Sequence, residues 1–398
     1  QRLVGSATTP LSVSRPHPGW SEQDPADWVA AAEAAIEALR AEHAAALAAV
    51  TGIGLSGQMH GATLLDAADR PLRPCILWND TRSHVEAAAL DADPRFRAIS
   101  GNIVFPGFTA PKLVWVKANE PDVFAATAKV LLPKDYLRLW LTGEHVGEMS
   151  DAAGTSWLDT GARAWSPELL EASFMRVDQM PRLVEGTEAS GTLRPELAAR
   201  WGMGASVVVA GGAGDNAASA VGAGTVEAGS AFVSLGTSGV LFAANESYLP
   251  SPETAVHTFC HALPGRWHQM GVILSAAASL DWFARISGAT PAALLTEIGD
   301  TPSGPSGLTF LPYLSGERTP HNDASIRGAF VGLANEHDRA AMTRAVLEGV
   351  SFALRDCLEA MRAAGSRPER VTAVGGGTRA AAWTNLIATV LGIPVELP

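Results

Sequence analysis

Cysteine and lysine are both scarce in this chain. The three cysteines, Cys75, Cys260 and Cys357, are far apart and odd in number. That fits a reducing compartment better than a disulfide framework, so a cytoplasmic location is expected. Only four lysines occur, Lys112, Lys117, Lys129 and Lys134, and none follows position 134. No Gly-Lys step exists, which excludes a Walker-type phosphate loop. A Schiff-base lysine is excluded from the last two-thirds of the chain. Positive charge is also short: 29 basic against 41 acidic residues give a net charge of −12. That argues against nucleic acid and anionic membrane as partners. No run of about 18 apolar residues suggests a membrane span. The opening Gln1-Arg2-Leu3-Val4-Gly5-Ser6 lacks the pattern of a secretory leader, so none is expected.

What is present is length and apolar content. The 398 residues are 47% hydrophobic. At about 150 residues per domain, two or three domains are expected. Helical spacing over 27–50 predicts a long helix, and 52–55 reads as a short buried strand. Residues 63–66 and 74–78 read as a hairpin. Helices are expected near 81–90, 110–119, 121–128 and 133–141. Strands are expected at 206–210, 231–235, 240–244 and 371–374, and helices at 271–287, 339–364 and 380–391. Strands alternating with helices imply an α/β architecture. The best domain boundary is the small-residue stretch 222–229, placed at 226/227. Both halves repeat one theme, an apolar strand ending in clustered glycines. Such turns leave N–H groups free to face phosphate oxygens.

Four stretches could carry chemistry. Gly52-Ile53-Gly54-Leu55-Ser56-Gly57 fits a dinucleotide fingerprint by letter, but no helix is expected after it, and the fingerprint must open one. Gln58-Met59-His60-Gly61 follows directly. Gln58 and His60 could hydrogen-bond hydroxyls beside an adaptable Met59 wall. Composition alone favours a plain surface hairpin there. Gly211-Gly212-Ala213-Gly214-Asp215-Asn216 sets one carboxylate at a strand end. Asp215 could accept a proton from a hydroxyl, or merely cap the helix that follows. Gly236-Thr237-Ser238-Gly239 and Gly375-Gly376-Gly377-Thr378-Arg379 read as phosphate cradles or as tight turns. The second is the stronger candidate because a helix is expected after it. His257, Cys260, His261 and His268 lack the spacing of a zinc site. Ser315-Gly316-Glu317-Arg318-Thr319-Pro320-His321 is a polar loop, lining a cleft or closing a salt-bridged turn.

The order of these stretches resembles the FGGY carbohydrate kinases along essentially the whole chain. The resemblance is carried by 14–25, Gly57-Gln58-Met59-His60-Gly61-Ala62 and Ile76-Leu77-Trp78-Asn79-Asp80 with Arg82. It continues through 107–113, Leu132-Pro133-Lys134-Asp135-Tyr136, Asp151-Ala152-Ala153-Gly154-Thr155 and Gly214-Asp215-Asn216. It closes with 234–239, 314–322 and the triple glycine. The Gln-Met-His-Gly stretch is similar to the branch that acts on xylulose. The resemblance implies a two-domain actin/hexokinase-type fold with ribonuclease-H-like cores and an interdomain catalytic cleft. It implies a sugar domain over 1–226 and a nucleotide domain over 227–398. It implies ATP-dependent phosphorylation of the 5-hydroxyl of D-xylulose, with Mg²⁺ carried mainly by the nucleotide. Asp215 is then the catalytic base, and Gln58, Met59, His60, Asp215 and Asn216 contact the sugar. Gly236 and Thr237 face the transferred phosphoryl group, Gly376 and Gly377 the nucleotide, and Asp281 its adenosine part. A homodimer is left open. Alternatives are a kinase for another ketose or polyol, or a non-catalytic sugar-binding fragment. The family opens with a strand and an Asp-Leu-Gly-Thr phosphate turn and ends in further helices. Nothing like that turn precedes Ser14, and the chain stops at Ile393-Pro394-Val395-Glu396-Leu397-Pro398, so truncation at both ends is expected.

Overall fold

The computed structural model describes residues 2–299 and 307–397. The chain divides into two compact units, Gln1–Ala218 with Phe259–Gly265, and Ser219–Thr258 with Arg266–Pro398.

In the first unit, Asp24 caps the helix Pro25–Ala48 by accepting from the Ala26 N–H. Proline at the first helical position supplies a preset φ where an N–H is dispensable. The strand Gly52–Ile53 then runs parallel to Val208–Ala210, and Ser56–Gly57 runs parallel to Ala213–Gly214. No helix follows the glycine run 52–57. The hairpin expected at 63–78 forms only as bridges between Ala62 and Ile76 and between Leu65 and Pro71. The ladders go elsewhere: Thr63–Leu65 pairs with Lys129–Leu131, and Cys75–Ile76 with Glu22–Gln23. Leu64, Ile76 and Val130 are buried in one apolar cluster with Leu113, Val116 and Trp157. Burial in that cluster decides the pairing, and sequence proximity does not.

The second unit is built on a six-stranded sheet. Its order is His257–Cys260 (whose last two residues are counted with the first unit), Trp267–Ile273, Gly239–Asn245, Ser230–Leu235, Arg370–Val374, Val395–Glu396. Helix Arg339–Ala363 lays Val346, Val350, Leu354, Cys357 and Met361 into the core against the sheet. The 3–4 spacing of those positions makes the stripe. The expected helix 271–287 is corrected here. Gly271, Val272 and Ile273 finish a strand paired with Gly239–Asn245, and the helix is Ala277–Ile286. β-Branched residues beside an available partner strand favour the ladder over the helix. The three cysteines are buried and unpaired, and burial pushes the Cys75 thiol up to about 11 and Cys260 to about 12. None is a thiolate at neutral pH. No helix among the described residues is long and apolar enough to cross a membrane.

Candidate active site

In the first unit, two parallel strands end side by side. The register sets Ala213 against Ser56 and Gly214 against Gly57. Gln58-Met59-His60 and Asp215-Asn216 therefore leave the sheet at the same edge, the end where α/β folds hold ligands. The strand of Asp215 is held by Arg138, whose guanidinium donates to the carbonyls of Ala210 (2.7 Å) and Gly211 (2.5 Å). Met59 is 6% exposed and packs on Gly214, where an added Cβ would lie 2.9 Å from Met59 Cγ. At Gly154 an added Cβ would lie 2.5 Å from the His60 ring. Side chains at either glycine would fill the space these two residues occupy.

His60 is fixed on several sides. Its Nδ1 lies 2.6 Å from the Gly154 carbonyl, which sets that nitrogen as donor. Its ring stacks on Phe108 with centroids 4.5 Å apart, and Phe259 meets it edge-on at 6.4 Å. Its carbonyl accepts from Thr109 Oγ1 (3.1 Å) and Lys112 Nζ (2.8 Å). Burial lowers Lys112 to about 7, so it is only part-charged at neutral pH. Asp215 opens the helix Asp215–Gly222, and its Oδ1 accepts from the N–H (2.8 Å) and amide (3.2 Å) of Asn216. That bond goes to the next residue rather than one turn on, so it is not the usual N-cap. The carboxyl is open to solvent, yet the surrounding protein raises its pKa, against the two bonds from Asn216. An ionised carboxylate of raised basicity is what a hydroxyl-activating base needs.

Gln58 is turned elsewhere. Its amide donates to Gln23 Oε1 (3.0 Å), which also accepts from Trp28 Nε1 (3.0 Å). With Trp28, Ser56 and Lys134 it lines a separate hollow of about 480 Å³.

Beneath Asp215 is a buried ionic cluster. The Gly214 N–H donates to Ser150 Oγ (3.1 Å). Ser150 donates to the Glu148 carboxylate, which also accepts the N–H groups of Ser150 (2.7 Å) and Asp151 (2.9 Å). Lys134 Nζ lies 2.6 Å from Asp135, 3.3 Å from Asp151 and 3.5 Å from Glu148.

The second unit repeats the arrangement. Ser230–Leu235 and Arg370–Val374 are parallel, with Ser234 against Val374. The turns 236–238 and 375–377 therefore leave the same sheet edge. Gly375 has φ 98° and ψ 172°, a region open to glycine alone. A Cβ there would lie 2.8 Å from the Leu235 carbonyl, and one at Gly377 would lie 2.9 Å from Leu235 Cβ. The triple glycine opens a 3-10 turn, Gly376–Arg379, before the helix Ala381–Leu391 begins. The helix expected at 380–391 thus follows the glycines with a single tight turn between them. The N–H groups of Thr237 and Ser238 have no acceptor among the described residues. A cavity of about 650 Å³ spans both turns. Leu235, Leu280 and Leu295 supply apolar wall, and Gly236, Thr237, Asp281, Gly376, Gly377 and Arg379 are also on it. Among the described residues no group of three or more His, Cys, Asp or Glu side chains forms a metal centre.

All five first-unit residues named from sequence thus lie at two adjoining strand ends, with Gln58 facing away from His60's partners. All five second-unit residues line one cavity. Phe108, Gly154, Phe259 and Ser150 escaped prediction as site residues, and Arg379, though part of the candidate cradle 375–379, was given no role of its own.

Two strand ends with close-packed glycines, one beside a carboxylate and one opening on a cavity, fit a sugar or polyol kinase. The N-terminal domain of the FGGY family of carbohydrate kinases matches residues 1–222, and its C-terminal domain matches 231–398. The chain belongs to that family, and its fold is the two-domain actin/hexokinase type. Xylulose kinase of Escherichia coli is 53% identical over 392 residues, 98% of this chain and 80% of that protein. Xylulose kinase of Lactococcus lactis is 38% identical, over 95% of this chain and 76% of that one. A solved xylulose kinase from Rhodospirillum rubrum matches with TM-score 0.92 and 31% identity, covering 98% of this chain and 80% of its own. Plasmodium falciparum glycerol kinase with ADP, at 19% identity and TM-score 0.89, shows the shared fold.

Proposed function

We propose that the chain is an ATP-dependent xylulose kinase that makes D-xylulose 5-phosphate. The observation that supports this is the Ser56–Gly57/Ala213–Gly214 pairing, from which the stretches 58–60 and 215–216 leave the same sheet edge. Residues 1–226 supply the sugar site and the base, and 227–398 the nucleotide site. Asp215 accepts the proton of the 5-hydroxyl as its oxygen attacks the γ-phosphorus. The bond from that phosphorus to the β,γ-bridging oxygen breaks, and ADP leaves. Asn216 and His60 orient sugar hydroxyls, and Met59 walls the pocket. Thr237 and Ser238 offer N–H donors to the transferred group, Gly376 and Gly377 cradle the phosphates, and Arg379 adds positive charge. Asp281 is positioned for the nucleoside. Mg²⁺ arrives on the ATP phosphates as part of the substrate and neutralises their charge. Phosphoryl transfer is mostly positioning and charge stabilisation, which glycine turns supply without lysine.

Coupled ADP-release assays over D-xylulose, L-ribulose, glycerol and gluconate test the reading. D-xylulose should give the highest kcat/KM. Higher efficiency on another sugar would reassign the substrate, and no turnover with any would reject kinase activity.

A further inference from the structure

The polar loop 314–322 plays no part in the mechanism above, yet it is built tightly against the strand Trp267–Ile273. The Thr319 N–H donates to the Val272 carbonyl (3.1 Å), and the Val272 N–H donates to Thr319 Oγ1 (3.1 Å). One step further, the Leu274 N–H donates to Glu317 Oε1 (2.9 Å). The same oxygen accepts the Arg318 N–H (2.7 Å). Glu317 is 3% exposed, and its Oε2 has no hydrogen-bond partner among the described residues. Burying a carboxyl this way is costly. Burial raises its pKa, against the pull of the two N–H bonds. A neutral residue would satisfy the loop more cheaply, so the position calls for a reason.

The reason lies two residues past Leu274. The N–H groups of Ala276 and Ala278 donate to the Thr237 carbonyl (2.9 and 3.3 Å), and that of Ala277 to the Gly236 carbonyl (2.9 Å). These bonds occupy the carbonyls of the turn 236–238 and fix its orientation. The N–H groups of Thr237 and Ser238 are left for a ligand. Ala276 itself sits at φ −99°, ψ −97°, a sparsely populated conformation. Such a residue persists only when its neighbours over-determine it. The Glu317 bond to Leu274 pins the chain just before it.

We propose that Glu317 is a positioning residue for the phosphate turn: it anchors Leu274 so that residues 276–278 hold Gly236 and Thr237 in their phosphate-receiving form. The inference rests on the reading of turn 236–239 as the site of the transferred phosphoryl group. Glu317 does not touch the nucleotide; it acts through the strand end and the helix start.

The test uses the full chain with Glu317→Ala and Glu317→Gln. Readouts are the KM for ATP, the KM for D-xylulose, calorimetric ADP affinity and the melting temperature. Glu317→Ala should raise the ATP KM and the ADP Kd about tenfold, with the sugar KM within about twofold. Glu317→Gln keeps an oxygen for both N–H groups and should restore most of the loss. Unchanged nucleotide constants in Glu317→Ala would overturn the proposal. So would sugar and nucleotide constants moving together in both variants, which is the mark of a merely structural residue. If Glu317→Ala fails to fold, a Glu317→Gln enzyme with tenfold weaker ADP binding overturns it as well. Wild-type protein that binds no ADP would instead bring down the nucleotide reading first, and the two failures are thereby told apart.

Discussion

Lys134→Met tests the buried cluster under Asp215. The cluster holds two cations, Lys134 and Arg138, and three carboxyls, Asp135, Glu148 and Asp151. Charge balances if one carboxyl keeps its proton, and Asp151 is the carboxyl whose surroundings favour that. Burial drives its pKa well up, Lys134 opposes, and Asp135 and Glu148 add to the rise. Its carboxyl meets only Lys134 Nζ, at 3.3 Å, among the contacts described, whereas Glu148 accepts from Ser150 and Asp151. Burial pulls the Lys134 pKa down, but its carboxylate neighbours outweigh that and hold it above the ordinary lysine value. The directions of the two shifts favour a charged Lys134 beside a protonated Asp151. Removing Lys134 breaks buried ion pairs and costs about 3–5 kcal/mol. Asp151→Asn swaps a neutral acid for a neutral amide and costs about 1 kcal/mol. At about 2–4 °C per kcal/mol for a unit of this size, the losses are about 6–20 °C and about 2–4 °C. Scanning calorimetry of the intact chain reads them, as the first transition, since two units need not unfold together. Equal losses, or a larger one for Asp151→Asn, would refute the protonation assignment.

Other outcomes follow from the same geometry. Gly375→Ala places a side chain at φ 98° and against the Leu235 carbonyl. It should raise the ATP KM at least about tenfold and spare sugar affinity, both read by steady-state kinetics. Phe108→Ala removes the stacking partner of His60, worth about 1 kcal/mol. The D-xylulose KM should rise about fivefold, and a change below twofold would show that the ring is held without Phe108. Because the Asp215 pKa lies above the ordinary aspartate value, its proton-accepting form is lost as pH falls through that raised pKa. The kcat/KM profile should thus fall on the acid side at a pH above that of an unperturbed aspartate.

Much of this site was legible in the sequence because its parts are local. A strand that ends in glycines announces where backbone comes close to a ligand, and Asp215 or Gly376 sits beside its own signal. Gln58 shows the limit. A polar residue next to Met59 and His60 suggests a sugar contact, but its amide is taken up by Gln23, and no local pattern reveals that partner 35 positions away. Phe259 and Ser150 were illegible for the same reason, since each reaches the site from a distant stretch. In the fold, long periodic helices such as Arg339–Ala363 were plain. The segment 271–273 misled because a short apolar run suits strand and helix alike until its partner strand is known.

The central claim is that Asp215 is the base that activates the sugar. It is tested most directly by Asp215→Asn, with turnover of D-xylulose and ATP measured beside calorimetric D-xylulose binding. The account predicts a kcat lower by about two to four orders of magnitude with sugar binding retained and the acid limb of the pH profile gone. An Asp215→Asn enzyme that turns over near the wild-type rate would contradict it.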